Sequence, residues 1–179
     1  MKYQEIRSNI QVGDVVLYEG DSLIDRTIRL VEFWKKQDYR FSHTALVYKT
    51  QDGCHLNVMT IEEVGKGLEE IRLSEAIKQH GKVYLLSMNC TPEQQASVYY
   101  ISEVLLREHP PYDYFASIQV LFRQIILDTG KFNCSELVWF ALRSANRVGA
   151  KTNWNGREIA PTPGEFPSWV GVEPMEVLI

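Results

Sequence analysis

The sequence predicts an α+β fold. Apolar runs of strand length crowd the first half of the chain, and stretches with helix-start signals crowd the second. No linker, internal repeat or low-complexity stretch divides the 179 residues, so a single domain over 1–179 is expected, long enough to enclose a real core.

The elements follow in order. Gly13-Asp14 opens Val15-Val16-Leu17-Tyr18, an apolar run bounded by Gly20 that reads as a short buried strand. Asp21-Ser22 can cap an amphipathic helix to about Lys36, with Leu23, Ile24, Ile28, Val31 and Trp34 at helical spacing. Phe41 to Lys49 alternates and is rich in β-formers. Asp52-Gly53 is a hairpin turn signal, and the returning strand runs from about Cys54 to Glu63. Extended chain is expected at Leu68 to Leu73 and a strand at Val83 to Met88. Thr91-Pro92 starts a helix that His109-Pro110-Pro111 ends near Glu108. Further helices are predicted at about Tyr114 to Leu127 and from Asn133 to about Arg147. The last thirty residues read as irregular chain with one more strand.

Composition narrows the function. A net charge of −4 argues against nucleic acid as the main partner, because a duplex binder carries a basic surface. No apolar run has the length of a membrane helix. The first residues lack the apolar stretch of a secretion signal, so a cytoplasmic location is expected, or a periplasmic one if a signal has been removed. Three cysteines, with no Cys-x-x-Cys pair, fit neither a disulfide framework nor a zinc ribbon. Cys54-His55 has no further ligands at useful spacing, so neither a metal nor a cofactor is expected.

Cys134 has the position of an activated thiol. Asn133 suits the cap and Glu136 completes an Asn-x-x-Glu capping pattern, which puts Cys134 in the first turn of a helix. That end carries about half a positive charge, which favours a thiolate. The alternative is a small residue packed under the preceding loop.

A nucleophilic thiol needs a base, and His43 is the candidate, early in a strand between Phe41 and Ala45. If Asp52-Gly53 is a two-residue turn, Gln51 faces Cys54 and His43 lies directly opposite Glu62. Directly paired residues have Cβ atoms roughly 4.5–5.5 Å apart, close enough for Glu62 to fix the imidazole tautomer and support its charge. A three-residue loop makes Glu63 the partner instead.

Five segments in order resemble the circularly permuted NlpC-type papain-like family, in its YiiX/YebB-like branch. They are Gly13-Asp14-Val15-Val16-Leu17, Phe41-Ser42-His43-Thr44-Ala45-Leu46-Val47, Ile61-Glu62-Glu63 followed by Gly67, Pro111-Tyr112-Asp113, and Asn133-Cys134-Ser135-Glu136-Leu137-Val138. Thr162-Pro163-Gly164 is similar to the family's segment after the nucleophile helix, so the resemblance runs from about Gly13 to Gly164. It implies an antiparallel sheet or half-barrel packed on the Cys134 helix, and a Cys134-His43-Glu62 triad. It also implies covalent attack on a carbonyl, and Tyr112 as a residue lining the substrate site.

The expected activity is hydrolysis of an amide bond in a small peptide or peptidoglycan fragment. Two alternatives stand beside it. One is a thiol acyltransferase or lipid-ester hydrolase of the lecithin:retinol acyltransferase-like kind, with an acyl substrate in an apolar channel that Phe33, Trp34 and Trp169 could line. The other is an inactive binding module on the same fold.

Overall fold

The computed structural model describes residues 1–20, 26, 29–30, 33, 40–50, 58–64, 67–80, 82–111, 113, 125–126, 131–153 and 155–178. The architecture is mixed α+β around one six-stranded antiparallel sheet. Its strands are β1 (Val15–Glu19), β2 (His43–Thr50), β3 (Val58–Val64), β4 (Gly67–Arg72), β5 (Lys82–Leu86) and β8 (Met175–Val177), in the order β4-β3-β2-β1-β5-β8. A second ladder pairs β6 (Ile125–Ile126) with β7 (Ile159–Ala160).

Strand alternation gives the sheet two apolar faces, each with its own cover. Val15, Leu17, Leu46, Tyr48, Ile61 and Leu86 share a core with α3 (Pro92–Glu108) and α4 (Cys134–Ser144). Val16, Tyr18, Ala45, Val47 and Val58 pack beneath α2 (Leu73–His80) and the N-terminal segment, through Leu73, Ala76, Ile77, Tyr3, Ile6 and Ile10. That segment carries the short α1 (Tyr3–Ile6) and is tied to the far edge of the sheet, where Tyr3 N–H donates to the Leu178 carbonyl at 2.7 Å. Both faces of β2 are therefore dry, and a polar side chain there must find its partner inside the protein.

Local signals locate the long helices. Thr91 Oγ1 accepts from Gln94 N–H at 3.3 Å, Pro92 sits in the first turn, and His109 ends α3 in the left-handed conformation. Elsewhere the structure corrects the sequence reading. The helix predicted for Tyr114 to Leu127 does not hold at its C-terminal end, because Ile125–Ile126 is a strand paired with Ile159–Ala160. Residues 114–124 lie outside the described set, as does the tip at Asp52-Gly53. Of the helix expected before Lys36, the described positions Arg26, Arg29, Leu30 and Phe33 are helical. Leu73–His80 is a helix where only the end of an extended piece was expected. The C-terminal thirty residues hold α5 (Phe166–Val170) as well as strands. Among the described residues, no helix is long and apolar enough to cross a membrane.

Candidate active site

The nucleophile position is built by its cap. Asn133 Oδ1 accepts from Ser135 N–H at 2.9 Å and Glu136 N–H at 3.0 Å, and Glu136 Oε2 accepts from Asn133 N–H at 2.9 Å. This reciprocal box fixes the first turn of α4 and leaves the Cys134 side chain at its tip. Leu137, Val138 and Ala141 bury the helix against the β2–β3 face, so Cys134 is held with only 8% of its surface exposed.

His43 begins β2, with Tyr18 of β1 as its cross-strand partner. The two rings stack, centroids 5.4 Å apart and planes 28° from parallel, which sets the tilt of the imidazole. Its Nε2–H donates to Glu62 Oε2 at 2.7 Å, and Glu62 is itself buried. With Nε2 committed, Nδ1 is the ring nitrogen left for the hydrogen bond with the Cys134 sulfur.

The register that brings these groups together is not the one the sequence suggests. Thr50 pairs with Val58, where a two-residue turn at Asp52-Gly53 would set it opposite His55. His43 is therefore not directly opposite Glu62. The ladder carries a bulge between Val47 and Lys49 and continues as Val47↔Thr60 and Leu46↔Ile61. Extended to the site, this register puts Glu62 across from Ala45, diagonal to His43 on the same face. Long side chains bridge such a diagonal. Without the bulge, Lys49↔Met59 would continue as Val47 opposite Ile61, and Glu63 rather than Glu62 would share the face of His43.

β2 and β3 pair only as far as Leu46↔Ile61, although β2 runs back to His43 and β3 runs on to Val64 beside β4. The sheet parts here. His43 and Glu62 belong to the face covered by α2, while α4 covers the other face, and the parting lets a thiol from one side meet an imidazole from the other.

The electrostatics follow from that meeting. For His43, burial is the largest influence and works against the imidazolium. The Cys134 thiolate, by charge and hydrogen bond, and then Glu62 outweigh it and hold the pKa up to about 10. For Cys134, burial again acts first and opposes the thiolate. The His43 charge and hydrogen bond, followed by the backbone and hydroxyl of Thr44, bring the thiol below its ordinary 9.0. A thiolate–imidazolium pair backed by a carboxylate can attack a carbonyl and then protonate a leaving group.

Of the expected site residues, Cys134, His43 and Glu62 converge, with Glu62 bonded to the ring. Tyr112 lies outside the described residues, as do Trp34, Cys54 and His55. Trp169 packs edge-on against Trp139 at 5.4 Å beneath Lys151, and Phe33 is 60% exposed. Tyr18 and Thr44 were not expected at the site. Their roles follow from pairing and strand separation, which leave no local signal in the sequence.

No protein-family model matches the chain, and no curated protein matches it. Among solved structures, the crystal structure of metalloprotein yiiX from Escherichia coli O157:H7 (DUF1105) is similar at a TM-score of 0.62 and 18% sequence identity, over 92% of this chain and 96% of that one. The chain shares the fold of that protein.

Proposed function

We propose that this protein is a cysteine-dependent hydrolase of amide bonds, built on a circularly permuted NlpC-type papain-like fold. Its substrate on this reading is a small peptide or cell-wall-type fragment. One observation carries the reading: a line of buried carboxylate, half-buried imidazole and buried thiol, Glu62–His43–Cys134, with the thiol at a capped helix start. Outside catalysis such a line is costly, since each charge it holds is taken out of water.

The Cys134 thiolate adds to the carbonyl carbon and the carbonyl oxygen takes the electron pair. Collapse of the tetrahedral species breaks the C–N bond, and the nitrogen leaves with the proton from His43. Water then attacks the thioester and gives a proton to His43. The carboxylic acid departs and the thiol and imidazole return to their starting state. Glu62 holds the ring in one tautomer through both halves.

The neighbour's printed description as a metalloprotein raises metal binding as a competitor. Among the described residues no group of three or more His, Cys, Asp or Glu side chains is arranged to hold an ion, and the support for thiol chemistry is the hydrogen-bonded line of Glu62, His43 and Cys134. The test is labelling with an acyl-electrophile probe, read by intact mass, on wild type, Cys134→Ala and His43→Ala. Wild type should gain one acyl group, Cys134→Ala none, and His43→Ala should react slower by roughly 10²-fold or more at neutral pH. Stoichiometric metal in the purified protein, together with an unreactive Cys134, would favour the metal reading. An unreactive, metal-free protein would favour the binding module.

A further inference from the structure

The bulge in β2 does more than select the acid that meets His43. Val47 pairs with Thr60 and Lys49 with Met59, so Tyr48 is the extra residue between them. Directly paired residues share a face of the sheet. Met59 packs against the core under α3 that contains Tyr48, so Lys49 faces α3 as well. Two successive side chains thus turn the same way. Unbroken alternation would send Lys49 to the face of Val47, beneath α2.

The side to which Lys49 is turned holds a cavity of about 410 Å³, within the size range of small-molecule sites. Pro92, Gln95, Ala96 and Tyr99 wall it from one face of α3, and Val12, Lys49 and Thr50 complete it. These walls are pinned. Gln95 Nε2 donates to the Cys90 carbonyl at 2.9 Å and to Gln11 Oε1 at 3.3 Å, which ties the segment of Val12 to α3. The Tyr99 ring stacks on buried Tyr48, planes 7° from parallel and centroids 6.2 Å apart, and the Tyr48 hydroxyl donates to Glu70 Oε2. Lys49 is half-buried, and among the described residues its ammonium has neither an ion pair nor a hydrogen bond. A cation aimed by a bulge into a cavity with an aromatic wall, and given no counter-charge there, suits an anion.

We propose that this cavity is a ligand site separate from the Cys134 centre, taking a small organic monoanion with a flat apolar body: its carboxylate pairs with Lys49 and its body lies against Tyr99. A single cation matches a single negative charge, and a ring already fixed by stacking loses little freedom on binding. Lys49 and His43 stand near opposite ends of β2, about 20 Å apart at the rise of a strand, so the site does not overlap the thiol.

The experiment is an NMR titration of the isotope-labelled full chain with naphthoate, on wild type, Lys49→Gln, Tyr99→Leu and Cys134→Ala, each checked by thermal melting. Naphthylmethanol, the same body without the charge, and AMP, a flat body carrying a dianion, are titrated in parallel. Naphthoate should shift the Lys49, Ala96 and Tyr99 amides in one saturable step, with a Kd below about 1 mM. Lys49→Gln and Tyr99→Leu should each weaken it by roughly fivefold or more, while Cys134→Ala binds as wild type does. Naphthylmethanol should bind wild type more weakly by about the factor that Lys49→Gln costs, and the two compounds should bind Lys49→Gln alike. If Tyr99→Leu does not fold, Lys49→Gln carries the comparison alone. No saturation by about 10 mM naphthoate, equal binding to wild type and folded Lys49→Gln, or shifts centred on Cys134 and His43 would overturn the proposal. AMP bound more tightly than naphthoate, and through Lys49, would overturn the monoanion class. None of these outcomes turns on the reactivity of Cys134.

Discussion

Among the described residues, two largely buried trios of acid, thiol and cation stand at opposite ends of β1, and they are wired differently. At the end of β1 are Glu62, Cys134 and His43. Near its start are Asp14, Cys90 and Arg147. In the second trio every charge is already committed to the backbone. Asp14 Oδ1 accepts from Met88 N–H at 2.8 Å and Oδ2 from Gln11 N–H at 2.9 Å, while Arg147 Nε donates to the Met88 carbonyl at 2.5 Å. The strands are locked beside it, with Gly13 N–H on the Val47 carbonyl at 2.7 Å and Val47 N–H on the Asp14 carbonyl at 2.9 Å. Gly13 takes φ +94° here, and an added Cβ would lie 2.5 Å from the Cys90 sulfur. Burial and then Asp14 raise the Cys90 thiol, against the pull of Arg147. In the first trio the sheet is open and the cation is an imidazole that can release its proton. The same residue types make a strut or a reactive site according to whether the backbone has already claimed them.

The largest expected effect sharpens that contrast directly. Cys134 should alkylate faster than Cys90 by roughly 10²-fold at pH 7 in the native protein. The sign follows from the shifts. The Cys134 pKa is lowered, so its rate persists until the pH falls through that depressed value. The Cys90 pKa is raised above 9.0, so its rate climbs only in strong alkali. Hydrolysis should follow a bell, with its alkaline limb where His43 discharges, near about 10. Faster modification of Cys90 than Cys134, read by peptide mapping, would break the comparison.

Asp14→Ala should strike stability and leave the thiol alone. It orphans two buried N–H groups, at a cost of about 2 kcal/mol or more. Burial, opposed by those two N–H groups, raises the Asp14 pKa from 3.8 to about 6. The folded state thus holds this proton more tightly than the unfolded chain, and the stability so gained is lost as pH rises from about 4 through about 6. The melting loss for Asp14→Ala should therefore be larger at pH 5 than at pH 7. Cys134 alkylation at pH 7 should match wild type. A slowed Cys134 with unchanged melting would mean that the two trios communicate.

The sequence carried much of this and lost the rest for definite reasons. The caps at Thr91 and Asn133 are local, so α3 and the start of α4 were legible, and Cys134 with them. The strand Val15-Val16-Leu17-Tyr18 was legible as an apolar run. The hairpin register was not, because it depends on the bulge between Val47 and Lys49, which has no local signal in the sequence. Glu62 still meets the His43 ring. The expected pairing was off by two positions, and a two-residue slip keeps each side chain on its face, whereas a slip of one would have chosen Glu63. Helix α2 escaped because, among its described side chains, the buried ones are Leu73, Ala76 and Ile77 in an otherwise polar stretch.

The smallest effect belongs to Glu62, and it measures how much of the reactive trio is charge and how much is positioning. His43 is held up by Cys134 first and by Glu62 after it, so removing the carboxylate charge leaves the larger support in place. Glu62→Gln keeps an oxygen that can accept from Nε2–H, preserving the tautomer and the tilt set by Tyr18. Turnover should fall by about tenfold, well short of His43→Ala, and the alkaline limb should move down as the imidazolium loses part of its support. Glu62→Ala removes the acceptor as well and should cost more, because the ring is then free to turn. Equal losses in Glu62→Gln and Glu62→Ala would assign the role to charge alone. Near wild-type turnover in both would make the buried carboxylate a structural partner of β2, closer in kind to Asp14 than to a member of the catalytic line.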